Sequence, residues 1–88
     1  MDAEERQRFA ALAKAVANDR DQQAFSILFD YFAPRLKAWL MRQRMTSGEA
    51  EELVQEIMIV LWHKAALYDP SRSSLSTWLF RIARNRRI

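Results

Sequence analysis

The sequence predicts an all-α fold, a compact bundle of about four helices, and three observations lead there. One glycine and two prolines in 88 residues leave little material for hairpin turns but allow long helices. Apolar side chains recur at spacings of three and four along most of the chain instead of alternating. Half the residues are hydrophobic against 28% charged, which is too apolar for a disordered chain. Residues 1–88 are expected to form one domain, because a chain this short rarely divides into two folded units.

Helix one is expected from about Ala3 to Ala17, with Phe9, Leu12, Ala13 and Val16 as its apolar stripe. Glu4 and Glu5 in its first turn suit the positive end of the helix dipole. Asn18 and Asp19 are expected to break it, and Asp21 to cap the next helix. Helix two carries Phe25, Leu28, Phe29, Phe32, Leu36, Trp39 and Leu40 and should end near Met45. Pro34 removes one backbone bond inside that pattern; because the periodicity continues past it, a kink is expected there and not a stop.

Thr46, followed three residues later by Glu49, is a capping-box signature that opens helix three. At 100° per residue, Ala50, Leu53, Val54, Ile57 and Leu61 share one face. Glu52, Gln55, Glu56, Ile59 and His63 occupy the opposite face, with Trp62 at its margin. The helix should end near Leu67, since Asp69-Pro70 disfavours continuation. Tyr68 to Ser74 (YDPSRSS) reads as a loop, and Ser73 or Ser74 can cap helix four. That helix presents Leu75, Trp78, Leu79 and Ile82 inward and Thr77, Arg81 and Arg84 outward, with Phe80 and Asn85 at the flank. The chain stops at Ile88 with no cap or tail and reads as cut.

Composition excludes several functions. Without cysteine there are no disulfides, zinc–cysteine sites, iron–sulfur clusters or thiol nucleophiles. His63 is the only histidine and has no partner one turn away, so it reads as a solvated helix residue and no metal site is expected. The acids of helix three lie outside any glycine-rich or nucleophile motif, so neither an active site nor a cofactor is expected. Met41, Met45 and Met58 read as core filling or interface plasticity. No apolar run approaches the roughly 18 residues that span a bilayer, and the N-terminus is no signal peptide; a soluble cytoplasmic domain is expected.

Charge adds a direction. The net charge is +3 and the calculated isoelectric point about 9.8. Arg35, Lys37, Arg42 and Arg44 form one basic block, and Arg72, Arg81, Arg84, Arg86 and Arg87 another. Between them stand Glu49, Glu51, Glu52 and Glu56. This arrangement can carry two differently charged partner surfaces, or simply solvated helix faces. Ile59, with Trp62 one turn along and carboxylates and an amide around both, has the make-up of a protein-binding patch; a crowded core is the alternative. The 68–74 loop and helix four combine an aromatic, hydroxyls, arginines and Asn85, which together can hold phosphates, stack on a base and read its edge. A basic solvent-facing helix is the alternative there.

Three stretches, in order, resemble region 2, the N-terminal conserved domain, of bacterial extracytoplasmic-function sigma factors of the sigma-70 family. They are AFSILFDYFAPRLKAWL (Ala24–Leu40), AEELVQEIMIVLWHKA (Ala50–Ala65) and STWLFRIARNRR (Ser76–Arg87). The resemblance implies that the helix around Ala50–Ala65 binds the clamp helices of the largest subunit of RNA polymerase through Glu52, Gln55, Glu56, Ile59 and Trp62. It implies that the loop and last helix recognise the minus-ten promoter element and hold its non-template strand as the duplex opens. Tyr68, Ser71, Arg72 and Asn85 would surround a flipped-out base, while Arg81 and Arg84 contact phosphates. An anti-sigma protein is a further implied partner. Family members carry a second domain that reads the minus-thirty-five element; it is absent from these 88 residues, so a fragment is expected. The rival readings are a self-sufficient helix-turn-helix DNA-binding regulator with helix four in a major groove, and a pure protein-interaction bundle.

Overall fold

Asp2 caps the first helix, its carboxylate accepting the Glu5 N–H at 2.8 Å, and α1 runs from Ala3 to Asp19. The structure, a computed structural model, describes residues 2–87. Ile88, where the sequence reading ends without a cap, therefore lies outside the described residues. Asn18 and Asp19 do not break α1; the stop comes at Arg20, whose φ of 49° is left-handed and whose N–H returns to the Ala15 and Val16 carbonyls. A non-glycine residue is costly in that conformation. The Arg20 side chain offsets the cost: its guanidinium donates to the Trp62 carbonyl and stands 5.6 Å from the centre of the Trp62 ring.

The second helix, α2, runs from Gln22 to Arg42, and its cap Asp21 accepts the Ala24 N–H at 3.0 Å. It continues through Pro34. Pro34 is exposed, so water can serve the carbonyl that loses its helical donor. Beyond it Leu36 and Leu40 are fully buried. The helix ends short of the expected Met45, because Arg44 turns left-handed with φ 72° and the Met45 N–H folds back to the Leu40 carbonyl.

The third helix, α3, spans Ser47–Lys64. Its capping box is complete: Thr46 Oγ1 accepts the Glu49 N–H at 3.2 Å and the Glu49 carboxylate accepts the Thr46 N–H at 2.9 Å. The tightened 3-10 turn Ala65–Leu67 then carries the chain into the 68–74 loop. The fourth helix, α4, covers Leu75–Arg86, with Ser74 as its cap.

The expected core stripes pack together. Phe9, Ala13 and Val16 of α1 meet Leu28, Phe32 and Leu36 of α2 and Leu53, Ile57 and Leu61 of α3. Met58 joins them, completing the α3 stripe. Leu75, Leu79 and Ala83 seal the bundle from α4, while Trp78 and Ile82 are only half-buried. Phe9, Tyr31 and Phe32 form an aromatic cluster with centroids 4.6 to 5.0 Å apart. Among the described residues no charged side chain is buried. No helix of the described residues is long and apolar enough to cross a membrane.

Candidate functional site

Two surfaces stand out once the core is accounted for. The first is the outward face of α3. Glu52, Gln55, Glu56 and Ile59 are all exposed, Ile59 at 56% despite its apolar side chain. Trp62 is half-buried, held edge-on by Phe25 at 5.3 Å and covered by Arg20, so it presents only part of its ring. Two acids have partners in neighbouring helices: Glu51 pairs with Lys37 at 3.1 Å and Glu56 with Arg86 at 3.7 Å. Both pairs are solvent-exposed and exchangeable at little cost.

Beside this face, a shallow hollow of about 270 Å³ runs between α2 and α3, lined among others by Phe29, Pro34, Val54 and Gln55. Here the structure corrects the sequence reading. Periodicity puts Phe29 in the core stripe, but the residue remains 36% exposed. Leu28, Phe32 and Leu36 take the inward positions, and Phe29 lies 100° around the helix from Leu28. The apolar surface next to α3 is therefore wider than Ile59 and Trp62 alone.

The second surface is the 67–74 segment with the start of α4. Asp69 organises it. Its Oδ1 accepts both the Ser71 N–H at 2.9 Å and the Ser71 hydroxyl at 2.7 Å, while its carbonyl accepts the Arg72 N–H at 3.0 Å. The two bonds from Ser71, hydroxyl first, hold the Asp69 carboxyl below the usual carboxylate range. The loop folds around an open hollow of about 470 Å³ lined by Leu67, Asp69, Arg72, Ser73, Trp78 and Arg81.

Tyr68 lies deeper than the other side chains of the loop. As the loop aromatic it is expected to face a base, but Tyr68 is 7% exposed. Its hydroxyl donates to the Ser73 carbonyl at 3.0 Å and its ring leans on Trp78, centroids 5.8 Å apart. Burial pushes its phenol pKa up. Tyr68 supports the hollow from behind, and the aromatic wall is Trp78. Arg72 and Arg81 line the hollow. Ser71 is spent on Asp69, and Arg84 and Asn85 are exposed further along α4, outside the lining.

Sequence reasoning missed Leu67, Asp69 and Trp78. Leu67 reads as the last residue of an apolar helix, but the 3-10 turn swings it outward to 70% exposure. Trp78 sits on the core stripe of α4, yet so large a ring is seldom wholly covered. Among the described residues no group of histidine and acidic side chains could hold a metal ion.

The chain is 47% identical over 87 residues to the ECF RNA polymerase sigma factor RpoE of Cereibacter sphaeroides, covering 99% of this chain and 48% of that protein. It is 35% identical over 78 residues to the ECF RNA polymerase sigma factor SigK of Mycolicibacterium vanbaalenii, covering 89% of this chain and 39% of that one. The chain thus spans about half the length, or less, of these relatives. Among solved structures, Rhodobacter sphaeroides SigE in complex with the anti-sigma ChrR superposes with a TM-score of 0.90 at 48% identity, covering 96% of this chain and 54% of that one. The sequence model of Sigma-70 region 2 matches residues 28–88, which takes in α3, the loop and α4 with both surfaces, and on that match the chain belongs to the Sigma-70 region 2 family.

Proposed function

We propose that this chain is the minus-ten recognition and strand-opening domain of an extracytoplasmic-function sigma factor, directing core RNA polymerase to promoters. The observation that supports it most is the pairing of two unlike surfaces on one rigid bundle. An apolar residue in an acidic and amide frame marks α3, and a mostly polar hollow with Trp78 in its wall and arginines beside it marks the loop and α4.

On this reading Ile59 is the apolar centre of the polymerase contact. Gln55 supplies directed hydrogen bonds around it, while Glu52 and Glu56 meet basic side chains of the polymerase clamp helices. Glu56 exchanges Arg86 for its partner on binding. Trp62 contributes the edge that Phe25 and Arg20 leave open. The hollow accepts one base extruded from the non-template strand, with Trp78 as its stacking surface and Arg81 and Arg84 on the flanking phosphates. Asn85 serves the strand beyond the hollow. Extrusion costs a few kcal/mol, which the stacked pocket offsets. Polymerase performs the chemistry; the domain contributes binding and positioning only.

An anti-sigma protein would occupy the same surfaces to keep the domain inactive, and the likeness to SigE solved with ChrR supports that partner. The test is capture of bacterial core polymerase by the chain, wild type beside Ile59→Glu and Gln55→Ala. Capture by the wild type, lost in Ile59→Glu with unchanged helical circular dichroism, is the expected result. A folded wild type that captures nothing contradicts the proposal.

A further inference from the structure

The hollow carries an asymmetry that bears on which base it accepts, granted the reading of it as a base site. Asp69 Oδ1 is saturated by two donors from Ser71, at 2.9 and 2.7 Å. Oδ2 takes no hydrogen bond from any described residue, and neither of the ion pairs among the described residues involves Asp69. A carboxylate in this wall, with Arg72 and Arg81 in the same lining, is an acceptor kept open among donors.

We infer that Asp69 sets base choice: its free Oδ2 accepts a hydrogen bond from an exocyclic amino group and so selects adenine, cytosine or guanine over thymine. The chemistry is that of base edges. Adenine and cytosine each present an amino donor beside an acceptor on one edge. The donor fits Oδ2, and the adjacent ring nitrogen or carbonyl fits a guanidinium, which can only donate. Guanine brings an amino group beside a ring N–H. Thymine has no exocyclic amine; its one ring N–H lies between two carbonyls, which would face the anionic oxygen. Leu67 and Trp78 supply the apolar faces, which hold any base alike, so discrimination falls to the polar wall. Ser71 fixes the register, because its two bonds occupy Oδ1 and leave Oδ2 as the oxygen open to a ligand.

The substitution that isolates this atom is Asp69→Asn. The amide oxygen can keep both Ser71 bonds at Oδ1, preserving the turn, while the amino group replaces Oδ2 and reverses it from acceptor to donor. The probes are oligothymidylate strands carrying a single central adenine, cytosine or guanine, with the all-thymine strand as reference. Binding is followed by fluorescence anisotropy at low salt. The wild-type chain should bind the amino-bearing probes about tenfold more tightly than the reference, the size of one hydrogen bond to a charged group. Asp69→Asn should erase or reverse that ratio, and Arg81→Ala should weaken all probes while keeping their order. Equal binding of all four by the wild type, or an unchanged ratio in a folded Asp69→Asn, overturns the inference while leaving strand binding intact. Binding of no probe at all overturns the base-site reading and this inference with it.

Discussion

Tyr68 shows how one side chain shapes the site without lining it. Its hydroxyl ties the loop at Ser73 and its ring backs Trp78, so the hollow has a fixed rear wall. Tyr68→Phe keeps the ring and removes the bond, and should cost about 0.5–1.5 kcal/mol of stability in urea denaturation. It should also weaken single-strand binding while leaving polymerase capture unchanged. Tyr68, Trp78 and Phe29 also mark where sequence legibility ends. Periodicity assigns a residue to a face but not to a depth, and aromatic rings at the edge of a stripe are divided between core and solvent by their neighbours. Phe29 yields the inward position to Leu28, and Trp78 yields its outer half to the hollow. Ile59 is legible because it stands opposite the stripe, where no neighbour can bury it.

At the scale of elements, the helix starts are plain in the sequence because each is set by local chemistry. Asp21, Thr46 and Ser74 each accept a backbone N–H three residues on. Helix ends are harder, since α1 and α2 stop at left-handed arginines, Arg20 and Arg44, which carry no compositional signal. Arg20 is held by Trp62, which is 42 residues away in sequence. Thr46→Ala should destabilise the fold by about 1 kcal/mol in thermal or urea unfolding, because it removes one arm of the α3 capping box. Glu49, the other arm, has its carboxyl pKa held below its ordinary value, first by the Thr46 backbone N–H. Its contribution is present above the unfolded-state pKa and disappears as pH falls through the lower folded-state value. Glu49→Gln, which keeps an acceptor but cannot titrate, should lose less stability than the wild type between neutral pH and pH about 3. Parallel acid melting curves for the two proteins would contradict this.

At the scale of the molecule, the bundle separates its two surfaces while linking them through a few contacts. α3 carries the acidic face and α4 the basic one, and an Arg86–Glu56 ion pair joins the two helices. This division is legible in the sequence through the resemblance over three motifs, because the motifs fall on α2, α3 and α4 in order. The hollow itself is not legible there, because it arises where the 3-10 turn, the Asp69 turn and α4 converge. Strand binding should weaken with added salt, and Arg81→Ala should make that dependence shallower by about 0.7 for each phosphate it ceases to neutralise. The most direct measurement of the central claim follows a fluorescent unpaired minus-ten strand by anisotropy, with and without core polymerase, for wild type, Ile59→Glu and Arg81→Ala. The expected result is that Ile59→Glu abolishes only the polymerase-dependent binding, while Arg81→Ala weakens strand binding and leaves polymerase capture whole. Loss of both activities in either folded variant, or of neither in both, would contradict it.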